Sequence, residues 1–167
     1  MRINKSMTAL LEAKQVIPSA IAPVYHFPIW QKTDSTGRPY WGVGTFFSWD
    51  RCEDLQGRNL SQLEWDANEL NYFTYSEERV GDLLRDTIGV LKAWQEMLEH
   101  EYPHTEFCVF ASYDDGSAMI EDEDDYPIMR STTFRFWATR GNNDVVCLDN
   151  FDQWEQPAIL IVCNQAD

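Results

Sequence analysis

Val80, Leu83, Leu84, Ile88, Leu91, Trp94 and Leu98 recur at three- and four-residue intervals through a stretch that contains no proline. At 3.6 residues per turn these positions fall on one stripe, so the spacing predicts an amphipathic helix over about 77–101, some six turns long. Tyr102-Pro103 ends it, because proline has no N–H to donate and its ring crowds the preceding turn. A helix with one apolar stripe must bury it against something, and the C-terminal third supplies the surface. Residues 105–113, 117–120, 128–140, 145–148 and 157–163 read as strands. Phe134, Phe136 and Ala138 alternate with Arg135, Trp137 and Thr139, while residues 158–163 are continuously apolar, as in a strand covered on both faces. Asp114-Asp115-Gly116 and Arg140-Gly141-Asn142-Asn143 are turn signals between neighbouring strands and favour antiparallel pairing, with 105–113 and 117–120 as one hairpin. The expected fold is α+β: a mostly antiparallel sheet with one long helix on a face, in a single domain over 1–167.

The N-terminal half is less regular. Residues 8–17 fit a short helix stopped by Pro18. Residues 20–49 read as a hairpin with a polar turn at 32–38; Pro23 and Pro28 place its first strand at an edge. Residues 50–76 read as loop with a short helix suggested by Leu60, Leu63, Leu70 and Phe73. Ser76 is positioned to cap the long helix, with Glu77 and Glu78 against the positive end of its dipole.

Charge is the second constraint. The chain of 167 residues has 13 basic and 28 acidic residues, a formal charge of −15. The excess is uneven: residues 1–60 hold seven Lys/Arg against five Asp/Glu, and residues 61–167 hold six against twenty-three. Binding to a phosphate backbone requires a basic stripe, so direct nucleic-acid binding is not expected. No apolar run approaches the ~18–20 residues of a membrane span, and Glu12 and Lys14 interrupt what would be the apolar core of a secretory signal. Cys108, Cys147 and Cys163 sit in apolar runs, as reduced buried thiols do, while Cys52 lies among charges. A cytoplasmic protein with no membrane contact is the expectation.

No reaction motif is present. His26 sits in a proline- and aromatic-rich strand, and His100 and His104 are separated by the helix-ending Tyr102-Pro103, which keeps both rings off one helical face. Neither acidic stretch has the ligand order of a calcium loop, and there is no phosphate loop, dinucleotide fingerprint or nucleophile elbow. Asp149, Asp152 and Glu155 could at most hold a metal for a hydrolase, which stands as an alternative reading. No cofactor and no enzymatic activity are expected.

A protein-binding role remains. Asp114 and Asp115 mark one turn, and Glu121, Asp122, Glu123, Asp124 and Asp125 form an unbroken acidic run followed by Tyr126. Asp149, Phe151, Asp152, Trp154 and Glu155 interleave acids with aromatic anchors. Clustered carboxylates steer a basic surface into contact, and aromatic side chains dominate interface energetics. These thirteen residues are the candidate partner-binding set, with Trp154 as its central anchor. The acidic run 121–125, the acid–aromatic stretch 149–155 and the lack of a reaction motif resemble in kind the small acidic α+β immunity proteins that protect bacteria from contact-dependent or type VI secreted toxins. That resemblance implies a cytosolic antitoxin that neutralises one cognate toxin with a basic surface, often a nuclease. A phage-type DNA mimic that inhibits a restriction or CRISPR nuclease is the other inhibitor reading, but it calls for carboxylates over the whole surface, and residues 1–60 are slightly basic.

Overall fold

The computed structural model describes residues 1–24, 28–44, 58–117, 127–140 and 148–164. Its framework is a five-stranded, wholly antiparallel sheet in the order β1-β7-β5-β6-β4, built from β1 (Arg2–Ile3), β4 (Leu70–Thr74), β5 (Phe107–Asp114), β6 (Arg130–Ala138) and β7 (Ala158–Cys163). β2 (Ile29–Thr33) and β3 (Pro39–Val43) form a separate antiparallel hairpin. Three helices, α1 (Lys5–Ala13), α2 (Arg58–Ala67) and α3 (Val80–Glu101), complete the α+β architecture.

α3 is the predicted long helix. Val80, Leu83, Leu84, Ile88, Leu91, Trp94 and Leu98 are all buried, against Val109, Ala111, Phe134, Phe136, Ile159 and Ile161 of the sheet. The polar exception on that face is satisfied: the Thr87 hydroxyl donates to the Leu83 carbonyl at 2.7 Å and lies 3.0 Å from the Thr132 hydroxyl. Entry into α3 differs from expectation. Ser76 makes no side-chain cap; the chain enters through a 3-10 turn, Glu77–Arg79, in which the Arg79 N–H donates to the Ser76 carbonyl. Ser76 keeps the extended backbone of a cap position without the side-chain bond, and Glu77 is held between Lys14 and Arg130.

Further expectations change. The first helix spans Lys5–Ala13, starting three residues earlier than predicted, because Asn4 caps it: its Oδ1 accepts from the Met7 N–H at 2.9 Å. The same side chain accepts from the Ala158 N–H and donates to the Gln156 carbonyl, which ties the start of α1 to the start of β7. The predicted hairpin narrows to 29–43, with residues 45–49 outside the described set. Its turn is built on Asp34, whose carboxylate accepts from Thr36 and Arg38, with Gly37 at φ +82°. The predicted hairpin of 105–113 with 117–120 is not formed along β5, because both edges of β5 are already taken, by β6 and β7. Residues 118–120 lie outside the described set, as do 145–147 of another predicted strand, whose Leu148 instead opens a 3-10 segment, Leu148–Gln153. Residues 58–76, read as loop and short helix, hold α2 and the edge strand β4.

Among the described residues, the sheet face opposite α3 is covered over part of its length. There Cys108, Phe110, Trp137, Phe151, Ala158 and Leu160 form a second core, closed by the half-buried Trp65 of α2 and Trp154. No helix among the described residues is long and apolar enough to cross a membrane.

Candidate partner-binding face

Directly paired residues of an antiparallel sheet share a face. On the side away from α3, two rows cross β4, β6 and β5: Asn71, Thr133 and Ser112, then Phe73, Ser131 and Asp114. The first row is polar and self-satisfied, since the Thr133 hydroxyl lies 2.7 Å from Asn71 Oδ1. The second carries an apolar ring and a carboxylate to the surface. Phe73 is 58% exposed and Tyr75 54%, with ring centroids 5.7 Å apart in an edge-to-face pair. Ile128 and Met129, just before β6, are also exposed. Large apolar side chains scattered singly are ordinary, but four at one end of a sheet form a patch.

Acidic groups gather at the same end. Asp114 Oδ1 accepts from the Gly116 N–H at 2.8 Å, and Asp115 Oδ1 from the Ser117 N–H at 2.9 Å. The hydroxyl and N–H of Ser117 hold the Asp115 carboxyl below its usual range. Gly116 is required here: at φ +76° it passes so near the Met129 carbonyl that an added Cβ would lie 2.3 Å from the oxygen. Glu77 is bridged by Lys14 and Arg130, and the bond from Lys14 with both cationic charges holds its carboxyl below normal. Burial, then the Glu77 charge, pushes the neighbouring Tyr113 hydroxyl up. A recess of about 250 Å³ lined by Tyr113, Asp114, Asp115, Gln156 and Pro157 joins this turn to the segment before β7.

The structure thus brings Asp114 and Asp115 beside the chain that follows the exposed Glu155. Asp152 is exposed but stands 3.8 Å from Arg2 at the β1 edge, away from this recess. Phe151 is a correction: predicted as a surface anchor, it is fully buried in the second core, with Arg2 stacked over its ring at 5.3 Å. A 3-10 segment kinked at Asn150 turns it inward. Trp154 is half-buried, edge-on to Phe110 and Phe151, so it is a wall of that core before it is an anchor. Glu121, Asp122, Glu123, Asp124, Asp125 and Tyr126 lie outside the described residues, as does the side chain of Asp149. Among the described residues no group of three His, Cys, Asp or Glu side chains is placed to hold a metal ion. Phe73, Tyr75, Ile128 and Met129 were missed by sequence reasoning. The available signal was the outward alternation of 71, 73 and 75, obscured by Leu70 and Phe73 standing three residues apart as in a helix.

The most elaborate polar cluster lies elsewhere, where α2 bridges β3 and β6. Glu64, fully buried, accepts from both terminal nitrogens of Arg140 at 2.6 and 2.9 Å, and from the N–H groups of Trp41 and Ala138 at 3.1 and 2.8 Å. One turn on, Asn68 accepts from the Val43 N–H and donates to the carbonyls of Trp41 and Phe136. Burial pushes the Glu64 carboxyl up, and Arg140 and the two N–H donors oppose it. Both Glu64 oxygens are fully engaged in joining the hairpin to the main sheet, so this is a structural seam and not a reactive centre.

Compared with known proteins, the chain matches no protein family, no curated protein and no solved structure.

Proposed function

We propose that the chain is an immunity protein: a stoichiometric inhibitor that binds a cognate bacterial toxin with a basic surface, a nuclease, and is not itself an enzyme. One observation carries this reading. Carboxylates from separate segments, Asp114 and Asp115 at the end of β5 and Glu77 before α3, stand at the same end of the sheet as the exposed Phe73, Tyr75, Ile128 and Met129. Exposed apolar anchors beside solvent-facing carboxylates suit a protein interface that is steered by charge. The run 121–125 is joined in sequence to this end, between Ser117 and Pro127.

The test is co-expression with the product of an adjoining reading frame in a sensitive host. The expected result is restored growth and a stable one-to-one complex. Replacing Asp114, Asp115, Asp122, Glu123, Asp124 and Asp125 by their amides should slow association and weaken its salt dependence, with the melting temperature little changed. Growth arrest by the neighbouring protein with no relief from this chain defeats the proposal.

A further inference from the structure

β4 ends the strand order on one side of the five-stranded sheet, and among the described residues no strand pairs with its outer edge. The opposite end of the sheet is β1, only two residues long and running directly into α1. β4 is five residues long, Leu-Asn-Tyr-Phe-Thr, with neither a lysine nor a proline to discourage pairing. Such an edge presents a row of unpaired backbone N–H and C=O groups, and sheets commonly protect it. Here the edge faces a groove of about 270 Å³, bounded by Asn71 to Thr74 on the strand side and by Arg79, Asp82, Leu83 and Asp86 on the helix side.

We infer that this groove receives an extended segment of the protein partner, which adds as a sixth strand alongside β4. The inference rests on the proposed binding of a basic protein and specifies how it is done. Main-chain hydrogen bonds would supply affinity, and alternate side chains would supply selectivity. On the α3 side an incoming strand meets Arg79, Asp82 and Asp86; Asp82 is already bonded to Arg85 at 2.8 Å, so the preference for a cation rests on Asp86. Asp86 stands by the Tyr72 hydroxyl, whose proton is held more tightly through burial and then through that negative charge. A lysine or arginine is favoured there. On the other side the incoming strand lies beside Phe73, 58% exposed, where an apolar or β-branched cross-strand neighbour is favoured. The occupant is therefore a segment alternating basic and apolar residues. A second copy of this chain fits worse: pairing β4 with β4 across a two-fold axis would bring together two chains that each carry −15.

The experiment uses the full chain and an acetylated six-residue peptide alternating lysine and valine, with a proline-interrupted version and a glutamate–valine version as controls. The lysine–valine peptide is expected to slow hydrogen exchange of the β4 amides, and the controls are not. Asp86→Lys, on an exposed position, should weaken that peptide about tenfold at low salt, and Phe73→Lys should weaken it similarly. Equal binding by either control, binding with β4 exchange unchanged, or a dimer of the free chain dispersed by Phe73→Lys overturns the inference. The same exchange measurement on the complex with the neighbouring toxin separates the two proposals. A bound toxin that leaves β4 unprotected removes strand addition and keeps the immunity reading. A chain that binds no toxin yet captures the peptide along β4 does the reverse.

Discussion

The seam at Glu64 and the open end at Phe73 are built from similar residue types and behave oppositely. At the seam a carboxylate and an amide are buried beside a half-buried guanidinium, and together they pair backbone groups on the facing edges of β3 and β6. At the open end the carboxylates stand in water and the aromatic rings beside them are uncovered. A charge buried with its partners specifies architecture; a charge left in solvent beside apolar surface is open to something outside the chain. Composition does not distinguish these cases. What distinguishes them is whether a neighbouring strand or helix consumes the polar groups.

The seam should break hardest. Glu64→Ala leaves the Arg140 guanidinium and two backbone N–H groups partly buried without their acceptor, and the expected loss of unfolding free energy is about 3–5 kcal/mol. Urea denaturation measures it, and a loss under about 1 kcal/mol would show that water replaces the carboxylate. Whatever fraction stays folded should still bind the partner, because the seam does not touch the open end.

The open end should show the mirror image. Phe73→Ala with Tyr75→Ala is expected to cost about 2 kcal/mol of partner binding, roughly thirtyfold in Kd, while changing folding stability by no more than about 0.5 kcal/mol. Calorimetry on the complex and thermal melts of the free chain together check both halves. A large drop in stability with unchanged affinity would make the pair a packing element.

These two regions also show what a sequence can disclose. α3 was legible because its stripe repeats over six turns and only one period fits it. The central strands followed from alternation, and β7 from its unbroken apolar run. β4 was not legible: five residues with Leu70 and Tyr72 facing α3 and Asn71 and Phe73 facing outward are too few to outweigh the apparent helical spacing. Ser61, Glu64 and Asn68 carry no sequence signal of burial, and the facing edges of β3 and β6 make them interior. The aromatics were inverted for the same reason. Phe151 among acids reads as exposed and is buried beside a local kink; Phe73 fits an apparent helical spacing and stands exposed on an edge strand.

A smaller effect sharpens the electrostatic side of the contrast. Asp114→Asn with Asp115→Asn preserves the carbonyl oxygens that accept from Gly116 and Ser117, so the turn should hold. Association with the partner is expected to slow by about threefold to tenfold at low salt and to lose part of its ionic-strength dependence, with dissociation nearly unchanged. Stopped-flow measurements over a salt series report this, and a change confined to the dissociation rate would place both residues in direct contacts instead of steering.

Glu77 lies on the boundary between the two behaviours, since its side chain is 58% exposed and yet bridged to Lys14 and Arg130. Its carboxyl is held below the ordinary value by the bond from Lys14 and then by both charges. A carboxyl depressed in the folded state contributes stability that is complete above its unfolded pKa, about 4.3, and disappears as pH falls through the lower folded value. Glu77→Gln should therefore melt slightly below the parent at neutral pH, and the gap should close as pH drops below about 4, where the protonated parent is as uncharged as the amide. Melting temperatures of both proteins from pH 7 to pH 2 give the comparison. If the curves run parallel, the bridge contributes nothing to folding. If in addition the amide slows partner association, the carboxylate belongs with Asp114 and Asp115 at the open end; if association is unaltered while the gap closes, Glu77 is a second, solvent-facing seam that fastens α1 and β6 to the entrance of α3.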